Sequence, residues 1–377
     1  MISLPSIQDL KDISGKRVLL RLDFNVPIVD GNVRDDYRIR KSMQTVDFLQ
    51  KLGARIVIIS HIESENQTLK PVYDYLKEKG LSVYWCEDII ESGKEGIDTL
   101  KPGDILLSEN IRLYDGEKKN DPLFAKKLAS LGDLYVNDAF SVSHRSHATI
   151  VGIPKHIPHY AGFQFIEEVK QLEVCFTPEH PFLCILGGAK FDTKLPLIKT
   201  LLPVADKIFV GGALAHNFYK EAGIEIGESL VSDGVFDTKD LVATKKILLP
   251  IDVIVKEGGE TSTVSYQSVT KTQTISDAGP DTISMLQKFI SEAHLILWNG
   301  PLGNYEKGFV DPTKQIANFI VERTKQGGHS VVGGGDTLAA IAELGVEKDI
   351  TFVSTAGGAM LDFLAQKTLL GIEALLG

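Results

Sequence analysis

Five times in its second half the sequence runs a short apolar segment straight into glycine. Residues 182–186 lead into Gly187-Gly188, 207–210 into Gly211-Gly212, and 295–298 into Asn299-Gly300-Pro301. Residues 330–332 lead into Gly333-Gly334-Gly335-Asp336-Thr337, and 351–353 into Ser354-Thr355-Ala356-Gly357-Gly358. Apolar runs of this length, bounded by turn residues, read as buried strands. Close helix-on-strand packing explains one or two glycine junctions. Five on one sheet edge point to a large ligand lying across it and touching backbone. With helical patterns between the strands, the chain is expected to be α/β with a doubly wound parallel sheet.

The first junction continues as Ala189-Lys190-Phe191-Asp192-Thr193-Lys194. Its lysine spacing predicts both ammonium groups on one helix face. A glycine turn, a helix N-terminus and two cations together make a phosphate site, or else an ordinary turn with surface lysines. In the fourth junction, Asp336-Thr337 opens a short amphipathic helix carrying Leu338, Ile341 and Leu344. Asp336 reads either as a helix cap or as a ligand for Mg²⁺ beside bound phosphates. Neither glycine loop is a P-loop, and Leu338 stands where a dinucleotide fingerprint needs its third glycine. A nicotinamide dehydrogenase is disfavoured on that ground.

The first half has the same rhythm, with strands at residues 16–22, 55–60, 81–86, 104–108 and 133–136. Polar residues follow four of them: Asp23 and Asn25 after the first, His61 after the second, Asn110 and Arg112 after the fourth, and Asn137 and Asp138 after the fifth. In open α/β sheets that edge holds ligands, although Asp and Asn there also suit Asx turns. A helix over 35–52 has Ile39, Met43, Val46, Leu49 and Leu52 on one stripe. Arg38 sits in its first turn, against the helix dipole, which an anionic partner would offset. Arg38, Arg112 and Arg145 with His61 and His144 form a prospective basic cluster. His144 and His147 lack further ligands at metal spacing. Residues 152–162 are rich in Pro, His and Gly, as at a domain boundary, and 163–176 read as a connecting helix.

Composition narrows the classes. A net charge of -10 disfavours nucleic-acid and acidic-membrane partners. Cys86, Cys175 and Cys184 show no C-x-x-C spacing, so neither a disulfide framework nor a zinc site is expected. No leader-like N-terminus and no membrane-length apolar run is visible, and a cytoplasmic protein is expected.

The ordered set RLDFNVP, DDYRIR, Ser60-His61, ENIR, NDPLFAKKLASLGDLYVNDAF, SHRSH, LGGAKFDTK, WNGPLGNYE, GGGDT and STAGGA closely resembles the phosphoglycerate kinase family over essentially the whole chain. The resemblance implies two doubly wound, Rossmann-like domains facing across a cleft and joined by a hinge helix. Residues 1–158 with the C-terminal tail 361–377 would bind 3-phosphoglycerate, 159–177 would connect, and 178–360 would bind the nucleotide. It implies a cytoplasmic, monomeric glycolytic and gluconeogenic enzyme that closes by hinge bending. The reaction would move the γ-phosphoryl group of Mg-ATP reversibly to the carboxylate of 3-phosphoglycerate, giving ADP and 1,3-bisphosphoglycerate.

Carried over by position, Asp23, Phe24, Asn25, Arg38, His61, Ile62, Glu63, Ser64, Arg112 and Arg145 resemble the substrate site. Gly187, Lys190, Lys194, Gly212, Asn299, Glu306, Gly334, Gly335, Asp336 and Thr337 resemble the nucleotide site, with Asp336 the contact to Mg²⁺. Arg38, Lys190, Lys194 and Gly335 would act on the transferring group. The family pattern continues Ser-His-Leu with Gly-Arg-Pro, whereas this chain reads Ser60-His61-Ile62-Glu63-Ser64-Glu65. Serine in place of that arginine predicts weakened binding of the substrate phosphate. Ala356 also replaces a usual glycine, a milder change. A non-catalytic nucleotide-binding homologue is the alternative.

Overall fold

Alternate residues of the strand Arg17–Arg21 (β1) go to opposite sides of a sheet. Val18 and Leu20 join one apolar core, and Leu19 joins another. The strand Arg55–Ile59 (β4) does the same, with Ile56 and Ile58 on one side and Val57 and Ile59 on the other. Period-2 alternation with apolar residues at every position requires cover on both faces. The computed structural model describes residues 2–63, 68–234, 236 and 238–377.

Between these strands lies a small hairpin of Ile28–Val29 (β2) and Asn32–Val33 (β3). Val83–Cys86 (β5), Ile105–Ser108 (β6), Leu134–Asn137 (β7) and His159–Ala161 (β8) complete the first sheet. Its order is β5-β6-β4-β1-β7-β8, and every pairing is parallel. The second sheet contains Phe182–Leu186 (β9), Lys207–Val210 (β10) and Ile247–Leu248 (β11). A separate antiparallel sheet of Asp252–Glu257 (β12), Glu260–Ser265 (β13) and Thr274–Ala278 (β14) follows. Leu295–Asn299 (β15), His329–Gly333 (β16) and Phe352–Ser354 (β17) then give the second sheet the order β11-β10-β9-β15-β16-β17, again all parallel.

Each sheet is doubly wound. In the second sheet the chain starts on β9, builds outward through β10 to β11, then returns to the other side as β15, β16 and β17. In the first it runs from β1 to β4, lays β5 at the edge, fills β6 between them, and crosses to β7 and β8. Strand direction reverses its progress between β1 and β7 in one sheet and between β9 and β15 in the other. Helices leaving such neighbours diverge to opposite faces and open a crevice at the carboxyl ends.

The chain divides into two compact units, Met1–Lys170 with Thr368–Gly377, and Gln171–Lys367. The helix expected across 159–177 is confined to Phe163–Glu173, because His159–Ala161 pairs with β7 as a strand. Buried Asp138 accepts the Phe165 N–H at that helix start (2.9 Å). The returning segment is shorter than residues 361–377. The helix Gly358–Gln366 packs on Phe191–Leu201 within the second unit, and only Leu370–Leu376 packs into the first. The helix Tyr37–Lys51 buries Ile39, Ser42, Thr45, Val46 and Leu49. Met43 and Leu52, expected on that stripe, are only partly buried. Two hydroxyls take inward places because each has a partner: Ser42 donates to Arg38 O (3.0 Å), and Thr45 accepts from Phe163 N (3.1 Å).

Candidate active site

In the first unit the carboxyl ends of β1, β4 and β6 gather a cationic cluster. Asp23 Oδ1 accepts the Asn25 N–H at 3.1 Å, an Asx turn, while Oδ2 accepts from Arg38 Nη1 (2.9 Å) and Ser141 Oγ (2.6 Å). The turn and the ligand-edge role are therefore filled by one carboxylate. Arg38 also donates to Asn25 O (3.2 Å), so the arginine is aimed before any ligand arrives.

Behind this edge is a polar network that the sequence patterns missed. Arg21, fully buried in β1, donates from Nε to Thr149 Oγ1 (3.0 Å) and from Nη1 to Leu22 O (2.6 Å). Thr149 donates to the buried carboxylate of Glu117 (2.6 Å), which also accepts the Thr149 N–H (2.9 Å). Arginine only donates, so its 3.2 Å contact to His61 Nδ1 makes that nitrogen the acceptor and leaves the proton on Nε2. Burial first, then Arg21, Arg112, Arg38 and Arg145, holds His61 well below the usual histidine range. Burial first, then Arg112, Arg21, Arg145 and His144, brings His147 down to about 4. Arg21 carried one available signal: it is a charge inside an otherwise apolar strand run.

Arg112 is buried and Arg145 exposed; both act electrostatically on His61. The side chains of Phe24 and Ile62 turn into the core. Their backbones are also engaged, Phe24 N with Ser60 Oγ (2.9 Å) and Ile62 O with Asn110 Nδ2 (2.9 Å). Glu63 pairs with Arg112 Nη1. Ser64 lies outside the described residues.

In the second unit, the switch between β9 and β15 is closed by a lysine. Lys194 Nζ donates to Gly187 O and to Asn299 O (3.2 Å), so its ammonium is held by carbonyls at both strand ends. Burial brings it from 10.5 to about 8, with Cys184 and Asp336 opposing the drop. The expectation that Lys190 and Lys194 share one face does not hold. Lys190 is the non-helical N-cap of Phe191–Leu201 and is exposed, whereas Lys194 is buried.

Gly187 is dictated by crowding: a Cβ there would lie 2.0 Å from Pro301 O. Gly212 combines φ +59° with a backbone approach in which a Cβ would lie 2.8 Å from Gly188 N. These contacts knit three junctions into the wall of a cavity of about 530 Å³. Gly188, Gly212, Tyr305, Glu306 and Asp336 line it, together with buried Asp277. Burial, reinforced by Asp311, raises the Asp277 carboxyl to about 8.

The helix Gly335–Leu344 starts from Gly334 (φ +105°), so Gly334, not Asp336, is its N-cap. Asp336 is exposed in the first turn. Thr337 faces inward, fully buried, and its hydroxyl accepts the Gly300 N–H (2.8 Å). Thr337 therefore ties two loops together through its hydroxyl. Asn299 is likewise buried, and its backbone carbonyl is the part that meets Lys194. Among the described residues no group of three His, Cys, Asp or Glu side chains could hold a metal alone.

The sequence profile described as phosphoglycerate kinase matches residues 7–367. The chain belongs to the phosphoglycerate kinase family. It is 41% identical over 391 residues to the phosphoglycerate kinase of Dictyoglomus turgidum, covering 98% of both chains. Against that of Thermosipho africanus it is 39% identical over 391 residues, covering 98% of this chain and 97% of the other. The solved phosphoglycerate kinase from Coxiella burnetii matches with a TM-score of 0.86 at 32% identity, over 99% of each chain. The enzyme from Pyrococcus horikoshii matches at 0.84 and 28% identity, over 99% of this chain and 98% of the other. Neither the alternative of a non-catalytic homologue nor the weakened phosphate binding expected from Ser64 finds support in these relatives.

Proposed function

We propose that the protein is a phosphoglycerate kinase of glycolysis and gluconeogenesis, transferring a phosphoryl group reversibly between ATP and the carboxylate of 3-phosphoglycerate. The observation that carries the chemistry is Lys194, a buried ammonium held by two carbonyls at a sheet switch point, with no carboxylate bonded to it among the described residues. A cation stored in that way is available to an incoming anion, and a transferring phosphoryl group is the anion this reaction supplies.

The attacking carboxylate of 3-phosphoglycerate is already ionised, so the reaction needs no general base. Catalysis consists of alignment and of neutralising charge on the phosphoryl group in flight. Arg38, aimed by Asp23 and Asn25, would hold the acceptor carboxylate, with Arg112 and Arg145 on its phosphate. His61 would donate a neutral N–H from Nε2. Lys194, the exposed Lys190 and the Gly334-Gly335 helix start would meet the nucleotide phosphates. Gly187 and Gly212 would line the groove, and Glu306 would meet the ribose.

Mg²⁺ suits these residues in one particular way. It takes one or two protein carboxylates and fills its other positions from phosphates and water. The exposed Asp336 at the cavity edge is such a carboxylate. When bound, the ion would neutralise phosphate charge. Acceptor and donor residues belong to different units, so both units take part in the transfer, and exclusion of water from it would suppress hydrolysis. The cytoplasm and a monomeric state complete the proposal.

A coupled assay of ADP-dependent consumption of 1,3-bisphosphoglycerate tests it. Turnover is expected, with Arg38→Ala lowering kcat by about 10²-fold or more. Absence of turnover in the parent, with folding intact, would refute the proposal.

A further inference from the structure

Arg112 follows β6 in the short turn Ile111–Leu113, and its side chain is only 7% exposed. Its Nη1 donates to Glu63 Oε1, while its buried Nε and Nη2 have no partner among the described residues. Burial and the neighbouring charges of Arg21 and Arg145 push its pKa down, and Glu63 opposes them. A guanidinium in this position is short of hydrogen-bond acceptors and of negative charge. Glu63 supplies part of both.

The two halves of Glu63 are held differently. Its N–H is fixed to Asn25 Oδ1 at 2.9 Å, so the backbone stays at the substrate edge. Its side chain is 56% exposed and can swing away without opening any core. The resemblance noted above implies glycine at this position, a residue with no side chain to pair with Arg112. We infer that Glu63 is a built-in competitor of the acidic substrate. Its carboxylate occupies Arg112 in the resting protein and yields it to an oxygen of a phosphorylated carboxylic acid. A ligand that took only Nε and Nη2 would instead sit beside the Glu63 carboxylate and be repelled by it. Either way Glu63 sets the affinity of the site. It also keeps a buried arginine paired between turnovers, when an unpaired buried cation would be costly.

The inference rests on the substrate assigned above, and the experiment separates the two. Binding of 3-phosphoglycerate to the parent, Glu63→Gln and Glu63→Asp is measured by calorimetry at low and moderate salt, alongside steady-state kinetics and ADP affinity. Glu63→Gln is expected to tighten Kd and lower KM by about 2- to 5-fold at low salt, the range of a partly exposed ion pair. Its ADP affinity should stay close to the parent's, and the gain in substrate affinity should shrink as salt screens the charge. Glu63→Asp, which keeps the charge, should stay near the parent. Should Glu63→Gln misfold, Glu63→Gly, which restores the family residue, carries the same expectation. Unchanged or weaker substrate binding in the neutral variant, or a fall in kcat without a fall in KM, overturns the inference. A parent without turnover refutes the proposed function and leaves the calorimetric ratio to decide the role of Glu63.

Discussion

Lys194→Met separates what the buried lysine does for catalysis from what it does to stability. In the folded protein its pKa falls from 10.5 to about 8, chiefly through burial. At about 1.4 kcal/mol per pH unit, keeping it charged in the fold costs about 3 kcal/mol. The sign follows from linkage. Between the folded and unfolded values the unfolded chain binds the extra proton, so stability rises with pH from about 8 upward. Below about 8 the full cost is present, and that includes neutral pH.

Methionine has nearly the same length and no charge, so it removes the cost. It also strips the donor from Gly187 O, a loss of about 1–3 kcal/mol. The net expectation at pH 7 is a variant between equally stable and about 2 kcal/mol more stable than the parent, and nearly devoid of phosphoryl transfer. Urea unfolding at pH 7 and pH 9.5, monitored by fluorescence and circular dichroism, measures this. Over that interval the parent should gain about 2 kcal/mol relative to the variant. A variant less stable than the parent at pH 7 by more than about 1 kcal/mol would refute the account. So would equal pH slopes, because burial of the charge would then not be what perturbs Lys194.

Thr149→Val keeps the shape of a fully buried side chain while removing the hydroxyl between Arg21 and Glu117. A loss of about 2–4 kcal/mol and a raised KM for 3-phosphoglycerate are expected, read by thermal unfolding and kinetics; a loss under about 0.5 kcal/mol would show that the network is not coupled. Asp277, raised by burial to about 8, should make the parent lose stability as pH rises from about 4 to 8, since the unfolded carboxyl ionises first. Asp277→Asn should remove about 3 kcal/mol of that loss between pH 5.5 and 8, and parallel pH profiles for parent and variant would contradict the assignment.

Much of this architecture is legible in the sequence, for a physical reason. A parallel strand covered on both faces must be apolar throughout, and its carboxyl end must turn, so Phe182–Leu186 before Gly187 stands out without any structure. The polar residues just beyond strands, such as Asp23 and His61, are legible for the same reason. Spacing fails where environment decides. Lys190 and Lys194 are four apart, yet one lies before the helix and exposed while the other is buried. Phe24, Ile62 and Thr337 sit inside recognisable motifs but serve the packing that holds those motifs. Arg21 and Glu117 were hidden because their partnership spans distant strands and turns, and a buried charge is identified only by the groups that satisfy it. Ser42 and Thr45 face inward for a like reason, each having a backbone partner that no periodicity reveals.

The first unit is not contiguous in sequence, and this matters while the chain is being made. Every strand of its sheet has left the ribosome by Ala161, yet the helix Leu370–Leu376 that completes it is translated last. Until then Ser143 O lacks the Gly371 N–H that it accepts at 2.8 Å, close in sequence to Ser141, which binds Asp23. The second unit, although later in sequence, is the first for which all residues exist. Order of synthesis and order of completion are therefore reversed, and the first unit becomes whole only after the second unit has been made and residues 368–377 have followed it.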